Sequence, residues 1–243
     1  MSKYLMPDGN KEIEKEEFIQ YYSNAYYIKN NVHIEDIILS IFNDNIDKYN
    51  EEYIKRILGW KTGSILQNEY SDIKYKKGFE KEKNKISIYK KIINLSDVLE
   101  LLKVAIEKEN KEKDGDKKFS VFLSSFYSEG KISIKGIGPV YALTLRFFAT
   151  KGCEPIFDSF AQQALWSITE KRNINNVSPT YDNIVEIYKE YTELIKSEFY
   201  NEYENRYNNP NAWRKVDQAL WTYGHCYHVM KYVMDNTIKR RKT

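Results

Sequence analysis

Three glycines and two prolines frame one apolar stretch between Lys135 and Asp158, and they leave the backbone few paths through this part of the chain. Gly136 and Gly138 can take angles closed to other residues and place no Cβ between main chain and ligand. Pro139 suits the first position of a helix, where its missing N–H costs no bond. Ala142, Leu143, Leu145 and Phe148 give that helix an apolar face, and Gly152 marks its end. The N–H groups of the glycine turn and the positive end of the helix then converge on one point, which suits a phosphate. Pro155-Ile156-Phe157-Asp158 opens another helix, for which Asp158 has the chemistry of an N-cap.

A Gly-x-Gly pair alone also fits an ordinary turn between helices. A dinucleotide-binding turn would require a preceding buried strand and a third glycine, but Tyr141 occupies that position and helix follows helix around it.

Gly136-Ile137-Gly138-Pro139-Val140-Tyr141-Ala142 followed by Asp158 resembles the helix-hairpin-helix-GPD superfamily of DNA glycosylases. There, a hairpin of the form Gly-apolar-Gly-x-x-x-Ala precedes, by about twenty residues, an aspartate that starts a helix. The chain is similar within that superfamily to bacterial proteins with an 8-oxoguanine DNA glycosylase (OGG)-like fold, most strongly over residues 119–166. The resemblance implies an all-α, two-lobed helical fold with a cleft between the lobes. It also implies that Lys135, Gly136, Ile137, Gly138 and Val140 grip the DNA backbone, while a damaged or modified base is flipped out of double-stranded DNA for removal. Asp158 is then the catalytic carboxylate. No cofactor is implied, and the expected state is a monomer.

Bifunctional members of the superfamily carry a lysine two positions after the last glycine of the hairpin; here that residue is Val140. Lys135 and Lys151 flank the motif without matching the position, so the resemblance implies hydrolysis without an imine. Lys131-Ile132-Ser133-Ile134 alternates like a strand where the family has a short first helix. Breaking a base–sugar bond develops oxocarbenium character at the sugar and negative charge on the base. An ionised carboxylate can stabilise that cation and orient water. Oxidised, alkylated, deaminated and bulky modified bases all remain open as substrates, in base-excision repair or in antiviral defence against modified phage DNA. A non-catalytic DNA-binding module and a helical interaction scaffold are the alternatives.

The 243-residue chain is long enough to bury a substantial core. Its net charge is only +3, although 30% of its residues are charged, so DNA affinity must come from local patches. Two cysteines, Cys153 and Cys226, cannot supply a four-cysteine iron–sulfur site. They suit a reducing cytoplasm, and no apolar run approaches the ~18 residues of a membrane span.

The remaining pattern is helical. Glu12 to Ile28 reads as a charged helix with an aromatic face, including Tyr21, Tyr22, Tyr26 and Tyr27, and His33 to Tyr49 as a further apolar-periodic segment. Ser96 is placed to cap a helix whose Val98, Leu101, Leu102 and Ala105 form a buried stripe. Glu107 to Lys118 reads as a solvated helix end and loop, so the chain is divided into regions 1–112 and 113–243. Ser178-Pro179 begins a helix to about Tyr203, and Asn209-Pro210 begins the last one. Residues 71–91 read as a flexible lysine-rich loop, with Lys74, Lys76 and Lys77 as possible backbone contacts.

Trp60 and Lys61, set between Gly59 and Gly63, are base-pocket candidates, with a helix C-cap over a packed tryptophan as the plainer alternative. Trp221 is a third candidate if the last helix packs beside Asp158. His225, Cys226 and His228 resemble ligands by residue type, but they supply only one good helical pair, so no metal is expected. The Lys239-Arg240-Arg241-Lys242 cluster reads as a solvated face or a phosphate contact.

Overall fold

A computed structural model describes residues 2–29, 38–39, 49–66, 73–128, 130–170 and 179–240, with side chains except at 27–29, 116, 128 and 227–240. Most of the segment 33–49, Ser178, the Arg241-Lys242 end and the side chains of Tyr27 and His228 therefore lie outside the described residues. Two compact units emerge. One comprises Met1–Asn30, Phe157–Ser178 and Tyr188–Thr243, and the other Asn31–Ile156 and Pro179–Ile187. Each draws on residues from both sides of position 112.

The first unit contains α1 (Lys15–Lys29), and the second contains α2 (Glu51–Lys61). Three strands follow in the second unit: β1 (Glu80–Glu82), β2 (Lys85–Ile88) and β3 (Lys91–Asn94). They form one antiparallel sheet in the order β1-β2-β3, with Ile86 opposite Ile93 and Ile88 opposite Lys91. This sheet overturns the all-α expectation and replaces much of the expected flexible loop. The signal was the β-branched alternation of Ile86 and Ile88, both buried, but it spans only four residues and is interleaved with lysines.

Next come α3 (Leu95–Lys111) and α4 (Gly115–Ser124), then the two-stranded hairpin β4 (Tyr127–Ser128) and β5 (Lys131–Ile132), as the alternation at Lys131 suggests. The cap of α3 is Asn94, not Ser96: its Oδ1 accepts hydrogen bonds from the Ser96 N–H and hydroxyl. Val98, Leu102 and Ala105 are buried as expected, and Leu99 joins them in place of Leu101.

α5 (Pro139–Ala149) carries an almost fully buried face, including Leu143, Leu145, Phe147 and Phe148. It closes in a Schellman arrangement, with Gly152 N–H donating to Phe147 C=O and Lys151 N–H to Phe148 C=O. Arg146 on α5 forms a buried ion pair with Glu109 of α3, Nη2 to Oε1 at 2.6 Å, and Glu154 lies 3.3 Å from its other amine. Glu109 is thus the buried exception in the segment from Glu107 to Lys118, which is otherwise largely exposed and includes the expected helix end at Lys111 and a short loop before α4.

In the first unit, α6 (Ser159–Thr169) packs on a long last helix, α9 (Pro210–Arg240), as does α1. Between them in sequence lie α7 (Ile184–Glu198) and the short α8 (Tyr200–Glu204), so the single helix expected from Ser178 to Tyr203 is interrupted at Phe199. Asn209 and Pro210 start α9 as expected, with Asn209 Oδ1 accepting from Ala212 N–H at 3.2 Å. Aromatic rings fill this core: Phe18 meets Tyr223 edge-on at 5.4 Å, and Trp166, Trp213 and Tyr191 are fully buried. Tyr22 and Tyr26 are core residues, whereas Tyr21 is 42% exposed.

Candidate nucleic-acid interface and carboxylate site

The glycine turn begins where Ile137 N–H donates to Ile134 C=O at 3.0 Å, with Lys135 and Gly136 at the turn's centre. Gly136 has φ +107°, as the third residue of such a turn demands of a glycine. A Cβ on it would meet Ile93 Cδ1 at 3.3 Å and Lys91 Cβ at 3.4 Å, so β3 rests against the turn. Ile137 is buried, and its C=O accepts the Tyr181 hydroxyl at 3.0 Å. Tyr181 in turn stacks on Tyr127 at 4.9 Å, and the Tyr127 hydroxyl donates to Asp182. This brace joins residues more than forty positions apart in the chain, and local pattern carries no sign of it.

Gly138 differs from Gly136. Its φ of −82° and ψ of 176° are open to any residue, so the expectation of special angles fails there. A Cβ on Gly138 would meet nothing within 4 Å. Protein packing does not require the glycine, which is a favoured N-cap residue, and the space beside its main chain is open. It is the N-cap of α5 without a side-chain cap, and Pro139 follows it. The main-chain N–H groups of Gly138 and Val140 have no acceptor among the described residues. Lys135 is exposed beside them. These groups together make a small donor surface suited to an anion.

Asp158 belongs to the other compact unit. It is the N-cap of α6: φ −138° and ψ 140° turn its carboxylate back, and Oδ1 accepts Phe160 N–H at 2.9 Å. The positive end of the helix favours negative charge at this position. Close by is an ionisable group on which the local pattern is silent: burial, then the carboxylates of Asp217 and Asp158 among its neighbours, push the Tyr191 phenol well above its usual value. Arg214 pairs with the buried Asp217. One turn into α6, the buried Gln162 amide nitrogen makes no hydrogen bond to the described residues, and on α9 the same is true of Gln218 Oε1 and the Thr222 hydroxyl.

The last helix packs beside the start of α6. His225 stacks on Phe160 with centroids 3.7 Å apart, and Trp221 lies against His225 at 3.8 Å and Tyr26 at 5.3 Å. Trp221 is thus linked through His225 to the first turn after Asp158. Trp60 and Lys61 end α2 in the unit that holds the glycine turn, with Thr62 as C-cap and the Trp60 ring edge-on to Phe148 at 5.2 Å. That is the plainer arrangement foreseen for them. An open groove of about 520 Å³ between Tyr49, Glu52, Lys83 and Leu99 is lined by none of the sequence-predicted residues.

No family model, curated protein or solved structure matches this chain. No described helix is long and apolar enough to cross a membrane.

Proposed function

We propose that the protein is a monofunctional DNA N-glycosylase related to the helix-hairpin-helix-GPD superfamily, acting on a damaged or modified base in double-stranded DNA. The observation that carries this reading is Gly138: a glycine with ordinary angles and open space at its missing Cβ, beside N–H donors at a helix start. A DNA phosphate fits there, because the missing side chain leaves the N–H groups of that main chain open to close approach. Lys135 adds a cation at the same turn.

In the proposed reaction, water attacks the sugar carbon as the base–sugar bond breaks and its electron pair leaves with the base. Asp158 stabilises the positive sugar and accepts the proton of the water. Val140 offers no amine, so an abasic site is released without an imine intermediate. The biological setting is base-excision repair or defence against modified phage DNA.

A second reading, a DNA-binding module without catalysis, is favoured by the cap bond, which already gives Asp158 a structural task. Base release from duplexes carrying oxidised, alkylated, deaminated or glucosylated bases separates the two, with wild type and Asp158→Asn compared and borohydride trapping included. Asp158-dependent release without trapping supports the glycosylase. Salt-sensitive binding without release from any duplex supports the binding module.

A further inference from the structure

The link between β2 and β3 is a two-residue loop, Tyr89-Lys90, because Ile88 pairs directly with Lys91. Both loop residues have positive φ, +47° and +66°, as the tightest hairpin turns require. Such turns favour Asn-Gly, and an aromatic residue or a lysine in the left-handed region is strained. Nothing within the fold rewards that strain through burial. The Tyr89 side chain leaves the residue 84% exposed, and Lys90 is exposed beside it. Strain of this kind is characteristic of contact sites.

The loop does not stand apart from the glycine turn. Lys91 and Ile93, next along β3, are the residues that rest on Gly136. The Tyr89 hydroxyl sits beside that of Tyr141, in the first turn of α5, and together with burial it raises the Tyr141 phenol above its usual value. The surroundings are strongly cationic. Between Ile73 and Asn94 there are eight lysines and two glutamates, and both glutamates are neutralised, Glu80 by Lys55 and Glu82 by Lys85. Lysines without a carboxylate partner among the described residues, beside an exposed aromatic ring, fit a polyanion that carries flat rings.

We propose that the Tyr89-Lys90 loop is a second DNA contact beside the glycine turn, its ring stacking on a base exposed where the duplex is opened and its ammonium group holding a phosphate. This inference rests on the DNA-directed reading above and adds to it the part played by the sheet. It assigns to the loop a preference for opened over fully paired duplex, because a base face is accessible only where stacking is broken.

The test uses the full chain and two short fluorescein-labelled duplexes, one fully paired and one with a single abasic site, titrated by fluorescence anisotropy at several salt concentrations. The double variant Tyr89→Asn/Lys90→Gly installs the preferred turn residues, so its melting temperature should equal or exceed that of wild type. Its affinity for the abasic duplex should fall about tenfold, with the slope of log affinity against log salt reduced by about one. Should the double variant melt lower, Lys90→Gly alone, which relaxes the turn and removes the ammonium group while keeping the Tyr89 ring, carries the test with an expected loss of about threefold. Affinity unchanged within twofold, while Gly138→Val still weakens binding, overturns the role of the loop and leaves the glycosylase reading standing. Wild type that binds neither duplex at low salt overturns both.

Discussion

Gly224 of α9 lies directly against the carbonyl of Phe160: a Cβ on Gly224 would fall 2.0 Å from that oxygen and 2.5 Å from its carbon. Backbone meets backbone at this point, two residues from Asp158, so the last helix sets the position of the first turn of α6.

Gly224→Ala should therefore displace α6 or α9 rather than a flexible side chain. The expected cost is about 3 kcal/mol, at the upper end of overpacking, read as a shift in the urea midpoint. Catalysis attributed to Asp158 should fall with it, whereas Ala219→Gly, buried elsewhere on the same helix, should affect stability alone.

Asp158→Asn retains an oxygen that can cap Phe160 N–H, so stability should change by less than about 0.5 kcal/mol, whereas Asp158→Ala should lose about 1 kcal/mol. If the carboxylate is catalytic, both variants should release base at least about a hundredfold more slowly. Thermal melts beside single-turnover base release separate the cap from the chemistry.

The two glycines of the turn should respond differently. Gly138→Ala meets no neighbour and fits its angles, so its poorer capping and its stiffer unfolded chain should nearly offset, leaving stability changed by less than about 0.5 kcal/mol, and on the DNA-directed reading it should weaken DNA binding. Gly136→Ala forces a side chain to φ +107° against Ile93, and it should destabilise by about 1–2 kcal/mol. Equal effects in denaturant titrations of the two variants would show that the turn is not built as described.

The Arg146–Glu109 pair, with side chains 5% and 10% exposed, should be costly to break and cheap to replace. Glu109→Leu alone leaves a buried cation short of its nearer carboxylate, and should cost about 3 kcal/mol. Glu109→Leu/Arg146→Met should recover much of that loss, and a double-mutant cycle in urea measures the coupling.

Much of the local structure could be read directly from the sequence. Pro139, Asp158 and Asn209-Pro210 each mark a helix start through chemistry confined to one turn, and each helix begins where these residues place it. The Val98, Leu102 and Ala105 stripe and the strand at Lys131 were legible for the same reason. The sheet was not, because a period-two signal over four residues among lysines is too short to stand against the helical pattern around it.

The sequence by itself determined where the chain turns, which faces are apolar, and the order of glycine turn, helix and capping carboxylate, since each depends on residues no more than about four positions apart. Only the tertiary structure decided that Gly136 supports β3, that Tyr181 braces Ile137, that Glu109 pairs with Arg146 and that Gly224 abuts Phe160. Those pairs lie tens of residues apart, and each is selected by a packing contact or by the cost of leaving a buried charge unpaired, which local pattern does not encode.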